Sequence, residues 1–266
     1  MRLCYNGLGM LLTIDVGNLN VKIGLFEGAR LLETWRLAPE PKRTGDEYGL
    51  LLLGLLQRRG ALSGVNGAVV SSVVPRMDLL LEEACLRYLG IRPLVLGPGV
   101  NMGLPNLTEF PDQVGTDRLA GAYAGLRLYG CPLLMVQLGT ATVINVVSAE
   151  GDFLGGAIAP GPDAMLQGLV SRAAKLPPIP LNLPPRALGR NTTEAMQSGL
   201  VFGYVALVEG LVRRFWAELG QWRVVATGGY AQLVAAGTQV IDKVDPDLTL
   251  QGLRLIYELN AGRRNE

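Results

Sequence analysis

Met10-Leu-Leu-Thr-Ile-Asp15-Val16-Gly17-Asn18-Leu19-Asn20-Val21-Lys22-Ile-Gly-Leu-Phe-Glu27-Gly28 is the stretch on which the fold turns. Leu11 to Val16 and Val21 to Glu27 are short aliphatic and β-branched runs with a glycine turn between them. Glu27-Gly28 signals a second turn, and Leu31 to Leu37 is a third β-rich run. Such a pattern predicts an antiparallel meander. Outward from it, the spacing predicts a helix over Asp46 to Arg59, a buried strand over Gly67 to Ser72, a helix over Met77 to Leu89 and a strand over Pro93 to Leu96.

Pro98 to Pro111, rich in Gly, Pro and Asn, reads as a loop between two halves. A helix over Asp117 to Tyr129 opens the second half. Leu133 to Leu138, Thr142 to Ser148 and Asp152 to Ala159 follow as three more β-rich runs with glycine turns. A long helix over Thr193 to Leu219, a strand over Arg223 to Ala226, a helix, a short strand near Val240 and a last helix over Pro246 to Leu259 complete the chain. The halves echo each other. Asp15-Val16-Gly17-Asn18 is matched by Gln137-Leu138-Gly139-Thr140, and Glu27-Gly28 by Glu150-Gly151. This weak repeat predicts two units, each a three-stranded meander followed by helices and strands. The expected domains are residues 10–114 and 115–259, with a small-molecule site in the cleft between them. Residues 1–9 (MRLCYNGLG) precede a clean strand and are expected to be a disordered extension, or one produced by a start codon set ahead of Met10.

Of the 266 residues 49% are hydrophobic, enough to bury a core in one large domain or two of modest size. Leu50 to Leu56 is apolar for only seven residues, and no run approaches the roughly 20 that a membrane helix needs. A net charge of +1 with scattered arginines argues against a nucleic-acid surface, and Arg263-Arg264 reads as a solvated end. Cys4, Cys85 and Cys131 form neither a disulfide framework nor a metal-ligand spacing, which fits a cytoplasmic location. With no histidine in the chain, Ser-His-Asp hydrolysis and HExxH zinc chemistry are excluded, so acid–base work falls to Asp, Glu, Lys or Tyr.

At the turn after the first strand, Gly17 lets the backbone approach a ligand and Asn18 adds a donor, while Asp15 is placed to hold a hydrated Mg²⁺. Gly139-Thr140-Ala-Thr142 repeats the arrangement, so the two hairpins suit the phosphates of ATP. Thr227-Gly228-Gly229 lies between a β-branched run and a helix, where adenosine can lie against the helix start; a plain strand-to-helix turn is the bland alternative. In Gly115-Thr116-Asp117-Arg118, Thr116 or Asp117 caps a helix on the bland reading. On the functional one Asp117 accepts a proton from a substrate hydroxyl and Arg118 holds a carboxylate through two hydrogen bonds. Leu154-Gly-Gly-Ala-Ile-Ala-Pro-Gly161 ends a strand and opens a helix, and Asn191-Thr192-Thr193-Glu194 is a capping signature.

The ordered set DVGN, GTDR, GTAT, LGGAIAPG, NTTEAMQSG and TGG resembles that of the type III pantothenate kinases, over about Met10 to Leu259. The resemblance implies a pair of ribonuclease-H-like domains, as in the acetate and sugar kinase, Hsp70 and actin superfamily. It implies phosphorylation of pantothenate with ATP and Mg²⁺, a homodimer, and a monovalent cation such as K⁺ or NH₄⁺. Carried over by motif, Asp117 is the proton acceptor; Gly115, Thr116, Arg118 and Thr192 meet pantothenate; and Asp15, Val16, Gly17, Asn18, Lys22 and Thr140 meet the ATP phosphates. Three positions depart from the family pattern. Gln137 stands where the family carries the aspartate that resembles a ligand of the monovalent cation. Leu19 replaces a Thr or Ser, and Thr108-Glu109-Phe110 lies where a Tyr-Asp-Asn stretch is usual. These departures leave a rival expectation open: a catalytically degenerate paralogue that binds a nucleotide or metabolite and acts on a partner.

Overall fold

The computed structural model describes residues 9–74, 76–173 and 175–261. Cys4, Arg263-Arg264 and all but the last residue of the expected 1–9 extension lie outside them. The meander forms: β1 (Met10–Val16), β2 (Val21–Glu27) and β3 (Arg30–Leu37) pair antiparallel. Then β4 (Val65–Ser72) pairs parallel to β1, and β5 (Leu94–Val95) parallel to β4, giving the order β3-β2-β1-β4-β5. The second sheet holds β6 (Leu133–Leu138), β7 (Ala141–Val147), β8 (Phe153–Pro160), β9 (Arg223–Thr227) and β10 (Lys243–Val244) in the order β10-β9-β6-β7-β8. Read from β8, it repeats the first sheet's directions strand for strand. The weak motif repeat is thus a repeat of topology, the duplicated α/β architecture expected of ribonuclease-H-like domains.

The unit boundaries differ from 114/115. The first unit runs to Pro105, takes in Glu109–Ala124 and closes with the segment from Thr249; the second comprises Asn106–Thr108 and Gly125–Leu248. Side-chain alternation along the strands supplies the reason. Leu12, Ile14 and Val16 of β1, with Ile23 of β2 and Val70 of β4, turn to one face. There they pack on Tyr48, Leu52 and Leu56 of α1 (Gly45–Arg59) and on Met77 and Leu81 of α2 (Met77–Ala84). The alternate residues leave a second apolar face, and the start of α3 (Thr116–Tyr129) together with α8 (Leu248–Ala261) covers it. A Cβ at Gly24 would meet Leu250, one at Gly67 would collide with the Tyr257 ring, and the Arg254 guanidinium sits 5.8 Å from the Phe26 ring centre. A sheet with two apolar faces needs two helical layers, and the chain draws the second from segments distant in sequence.

Helix α8 touches α3 through backbone. A Cβ at Gly252 would collide with the Ala120 carbonyl oxygen. Gly252→Ala must therefore spread the two helices, and we expect it to lower stability by about 1–3 kcal/mol. Urea denaturation checks this; an unchanged midpoint would show that the helices have slack.

Other elements follow the sequence with shifts of a few residues. Helix α1 begins in a capping box between Thr44 and Glu47 and ends at Gly60, left-handed at φ 69°. The helix expected to reach Leu89 leaves α geometry at Ala84 and finishes as a π turn, Cys85–Leu89. The strand expected near Val240 forms at Lys243–Val244, because Val240 is buried in the second unit's core instead of pairing in its sheet. Helix α5 (Thr192–Gln197), a π turn (Ser198–Phe202) and α6 (Gly203–Leu219) run on as one 28-residue helix, long and apolar enough by length and composition to cross a membrane, which no contiguous apolar run disclosed. In the fold its Tyr204, Val205, Val208 and Val212 pack on Leu134, Val136, Leu138 and Val224 of the second sheet. Between α5 and β8 comes α4 (Pro162–Arg172), and α7 (Ala231–Ala235) follows β9.

Candidate active site

In the first unit, register sets three polar side chains in one row. Asp15 on β1 is paired with Lys22 on β2 and with Ser71 on β4, all on the face covered by α3. Burial, then the nearby Asp117 carboxylate, pushes the Asp15 carboxyl from 3.8 up to about 7, with the Lys22 ammonium pulling the other way. The Thr116 hydroxyl lies 2.8 Å from that of Ser71, which brings the start of α3 beside Asp15, and Asp117 sits in the first turn of that helix, where negative charge is favoured. Its Oδ1 lies over Gly115: a Cβ there would be 2.5 Å away. Arg118, the next residue, is half-buried, and that burial lowers its pKa against the opposing pull of Asp117. Gly17 closes the β1–β2 turn by donating to the Asn20 carbonyl at 2.9 Å, which leaves Asn18 and Leu19 exposed at the tip.

Glycine at 115 leaves room for a carboxylate. Gly115→Ala would turn the Asp117 side chain away with little cost to the fold, because only the far end of a side chain has to move. On the expectation that Asp117 is the proton acceptor, turnover should fall at least about 10-fold, the scale of a small misplacement of a reacting group, with the melting temperature nearly unchanged. Full activity would exclude the folded-back carboxylate as the working position.

In the second unit, Leu138, Gly139 and Thr140 form a hairpin held from two sides. The Gly161 amide donates to the Thr140 carbonyl at 3.1 Å, and a Cβ at Gly161 would collide with the Gly139 and Thr140 carbonyls. From the other side Gly228, at φ 98°, lies against the Leu138 backbone, and the Tyr230 amide donates to the Leu138 carbonyl at 3.1 Å. Gly139, Thr140, Gly228 and Gly229 therefore gather at one end of the sheet, with Thr140 and Gly229 exposed. Thr142 departs from expectation. It is 1% exposed, its hydroxyl donates to the Pro160 carbonyl at 3.0 Å and accepts from the Tyr204 hydroxyl at 2.7 Å, so it braces β8 and α6 internally. Gln137 occupies the place on β6 that Asp15 occupies on β1, two residues before the hairpin glycine, and its Oε1 is buried.

Thr192 is the exposed first residue of α5; the capping falls to Asn191, whose Oδ1 accepts from the Glu194 amide at 2.9 Å. Thr192 borders a cleft of about 550 Å³ lined by Leu169, Leu176, Met196 and Leu200. The Thr108 hydroxyl donates to Asn106 Oδ1 at 2.8 Å, a local turn contact. Another cleft, of about 600 Å³ between Tyr129, Trp216, Trp222 and Arg223, lies at the opposite end of β9 from Gly228. Two of its polar groups are spent locally: the Trp216 indole donates to the Trp222 carbonyl and Arg223 to the Tyr129 carbonyl.

Among the described residues no three His, Cys, Asp or Glu side chains converge to hold a metal. The Asp15 carboxyl at the end of β1 is a hard-oxygen ligand that suits Mg²⁺, an ion that keeps several waters and takes its remaining ligands from phosphate. Ser71 is absent from the sequence-derived set because it looks like any other strand residue; only the β1–β4 register brings it beside Asp15.

A family model described as type III pantothenate kinase matches residues 11–214. A type III pantothenate kinase of Moorella thermoacetica is 47% identical over 254 residues, covering 95% of this chain and all of that one. Among solved structures, a conserved putative Baf family transcriptional activator from Campylobacter jejuni aligns with a TM-score of 0.60 at 19% identity, over 94% of this chain and 99% of its own. The activator of 2-hydroxyisocaproyl-CoA dehydratase from Clostridium difficile, with bound ADPNP, aligns with a TM-score of 0.59 at 12% identity, over 96% and 97%. At those identities the structural likeness speaks for the fold alone.

Proposed function

We infer the activity from one premise: this chain belongs to the type III pantothenate kinase family. It transfers the γ-phosphoryl group of ATP to the hydroxyl of pantothenate, giving 4′-phosphopantothenate, the first step of coenzyme A synthesis. The observation that carries this reading is the 2.8 Å hydrogen bond between Ser71, the register partner of Asp15, and Thr116, which seats the helix start bearing Asp117 beside the strand end bearing Asp15. Phosphoryl transfer asks for positioning and charge balance, with one base for the attacking hydroxyl. Asp117 takes that proton. Arg118 binds the pantothenate carboxylate, with Gly115, Thr116 and Thr192 as further contacts. Asp15, Val16, Gly17, Asn18, Lys22, Gly139, Thr140, Gly228 and Gly229 are the residues that bind ATP. Bound Mg²⁺ supplies positive charge against the triphosphate, and Asp15 holds it through water.

Gln137 offers a neutral oxygen in place of a carboxylate, so we propose that K⁺ or NH₄⁺ is dispensable. A cytoplasmic homodimer completes the proposal. A coupled ADP-release assay with ATP, Mg²⁺ and pantothenate, run with K⁺, with NH₄⁺ and with neither, tests it. Pantothenate-dependent turnover under all three conditions is expected. Turnover only with K⁺ or NH₄⁺ would reject the reading of Gln137. No turnover in folded protein would favour the degenerate paralogue, for which Leu19, Gln137 and Thr108 are the motivating departures.

A further inference from the structure

We propose that Ser71 is a positioning residue that fixes Asp117 relative to Asp15, a role that rests on the reading of Asp117 as the proton acceptor. Ser71 is fully buried at the penultimate position of β4, following Val69 and Val70. A buried hydroxyl in such a setting costs stability unless it is paired. Its partner is the Thr116 hydroxyl, 2.8 Å away and 45 residues on in sequence. Thr116 is the first residue of α3, immediately before Asp117. Ser71 is also the register partner of Asp15 on the neighbouring parallel strand.

One hydrogen bond therefore ties the strand end beside Asp15 to the helix start that carries Asp117. The covering contact of Gly252 against Ala120 holds α3 one turn further along. Between them these two contacts set both where the helix lies and how it is rotated. Asp15 and Asp117 are carried by different elements, β1 and α3, so their relative position needs a contact that joins the strand end to the helix start. The Ser71–Thr116 bond is the neutral contact placed to do this. Apolar residues of similar size would pack the strand end equally well but would leave the helix start free to shift.

The test is a kinetic cycle with Ser71→Ala, Ser71→Thr, Asp117→Asn and the double variant Ser71→Ala/Asp117→Asn. Ser71→Ala is expected to lower kcat by about 10- to 10²-fold, the scale of a misplaced reacting group, with KM for ATP within about twofold. Ser71→Thr keeps the hydroxyl and is expected to recover most of kcat. In the Asp117→Asn background, Ser71→Ala is expected to lower kcat no further, since residues that act as a unit are not additive. A loss of kcat that persists undiminished in that background, or an unchanged kcat in Ser71→Ala, would overturn the proposal. If Ser71→Ala does not fold, Ser71→Cys keeps the volume and replaces the hydroxyl with a weak donor, and its loss of kcat must likewise vanish beside Asp117→Asn. Near-normal turnover in Asp117→Asn alone would instead overturn the reading of Asp117, whatever Ser71 does.

Discussion

Asp117→Asn is expected to lower turnover at least about 10²-fold, the low end for a lost acid–base group, while leaving the fold and ATP affinity intact. The substitution keeps shape and volume, and the side chain remains in the first turn of α3 over Gly115. It removes the one property that a base needs, a lone pair that can take a proton near neutral pH. Two small effects on stability oppose each other. The helix start loses a favourable negative charge, worth about 0.3–1 kcal/mol, and Asp15 loses the neighbour that repels it. We therefore expect a near-unchanged melting temperature, measured beside steady-state kcat and equilibrium nucleotide binding. Near-normal turnover would reject Asp117 as the proton acceptor. A large loss of ATP affinity would place its role in nucleotide binding instead.

Much of this was legible in the chain, and the limits have physical causes. The meanders were readable because glycine turns and β-branched runs act locally, over a few residues. The correspondence of Gly17 to Gly139 was readable because the two hairpins are built the same way. Local signals do not report register. Asp15 beside Ser71, or Gly252 against Ala120, depends on contacts between residues far apart in sequence, so Ser71 looked like filler and α8 like a closing helix of the second domain. Thr142 was misplaced for a related reason. The motif puts a hydroxyl two residues beyond Thr140, but strand alternation turns it inward to Tyr204 and Pro160. Thr192 and Asn191 went the other way, since a cap is a local device and both took the places that the spacing gave them.

Asp15→Asn separates the two carboxylates by function, and its effects should be as large as those at Asp117 but different in kind. The carboxyl of Asp15 is raised from 3.8 to about 7, so the folded chain holds that proton more tightly than the unfolded chain does. Stability contributed by the protonated form is then fully present below about pH 4 and is lost as pH rises toward 7. Without divalent cation, wild type and Asp15→Asn should be equally stable near pH 4, and the variant should be the more stable at pH 8. Saturating Mg²⁺ and ATP should reverse that order, because the cation rewards the ionised form and the amide has no charge to offer. Turnover should fall about 10²-fold or more, on the scale of losing a preorganised charge partner of a transferring phosphoryl group. The Mg²⁺ concentration for half-maximal rate should rise with it, which Asp117→Asn should not cause. Chemical denaturation at pH 4 and pH 8, with and without Mg²⁺ and ATP, reads both halves of this argument. A variant less stable than wild type at pH 8 without Mg²⁺ would mean that Asp15 is ionised and satisfied by Lys22 alone, and the metal role would then pass to Asp117.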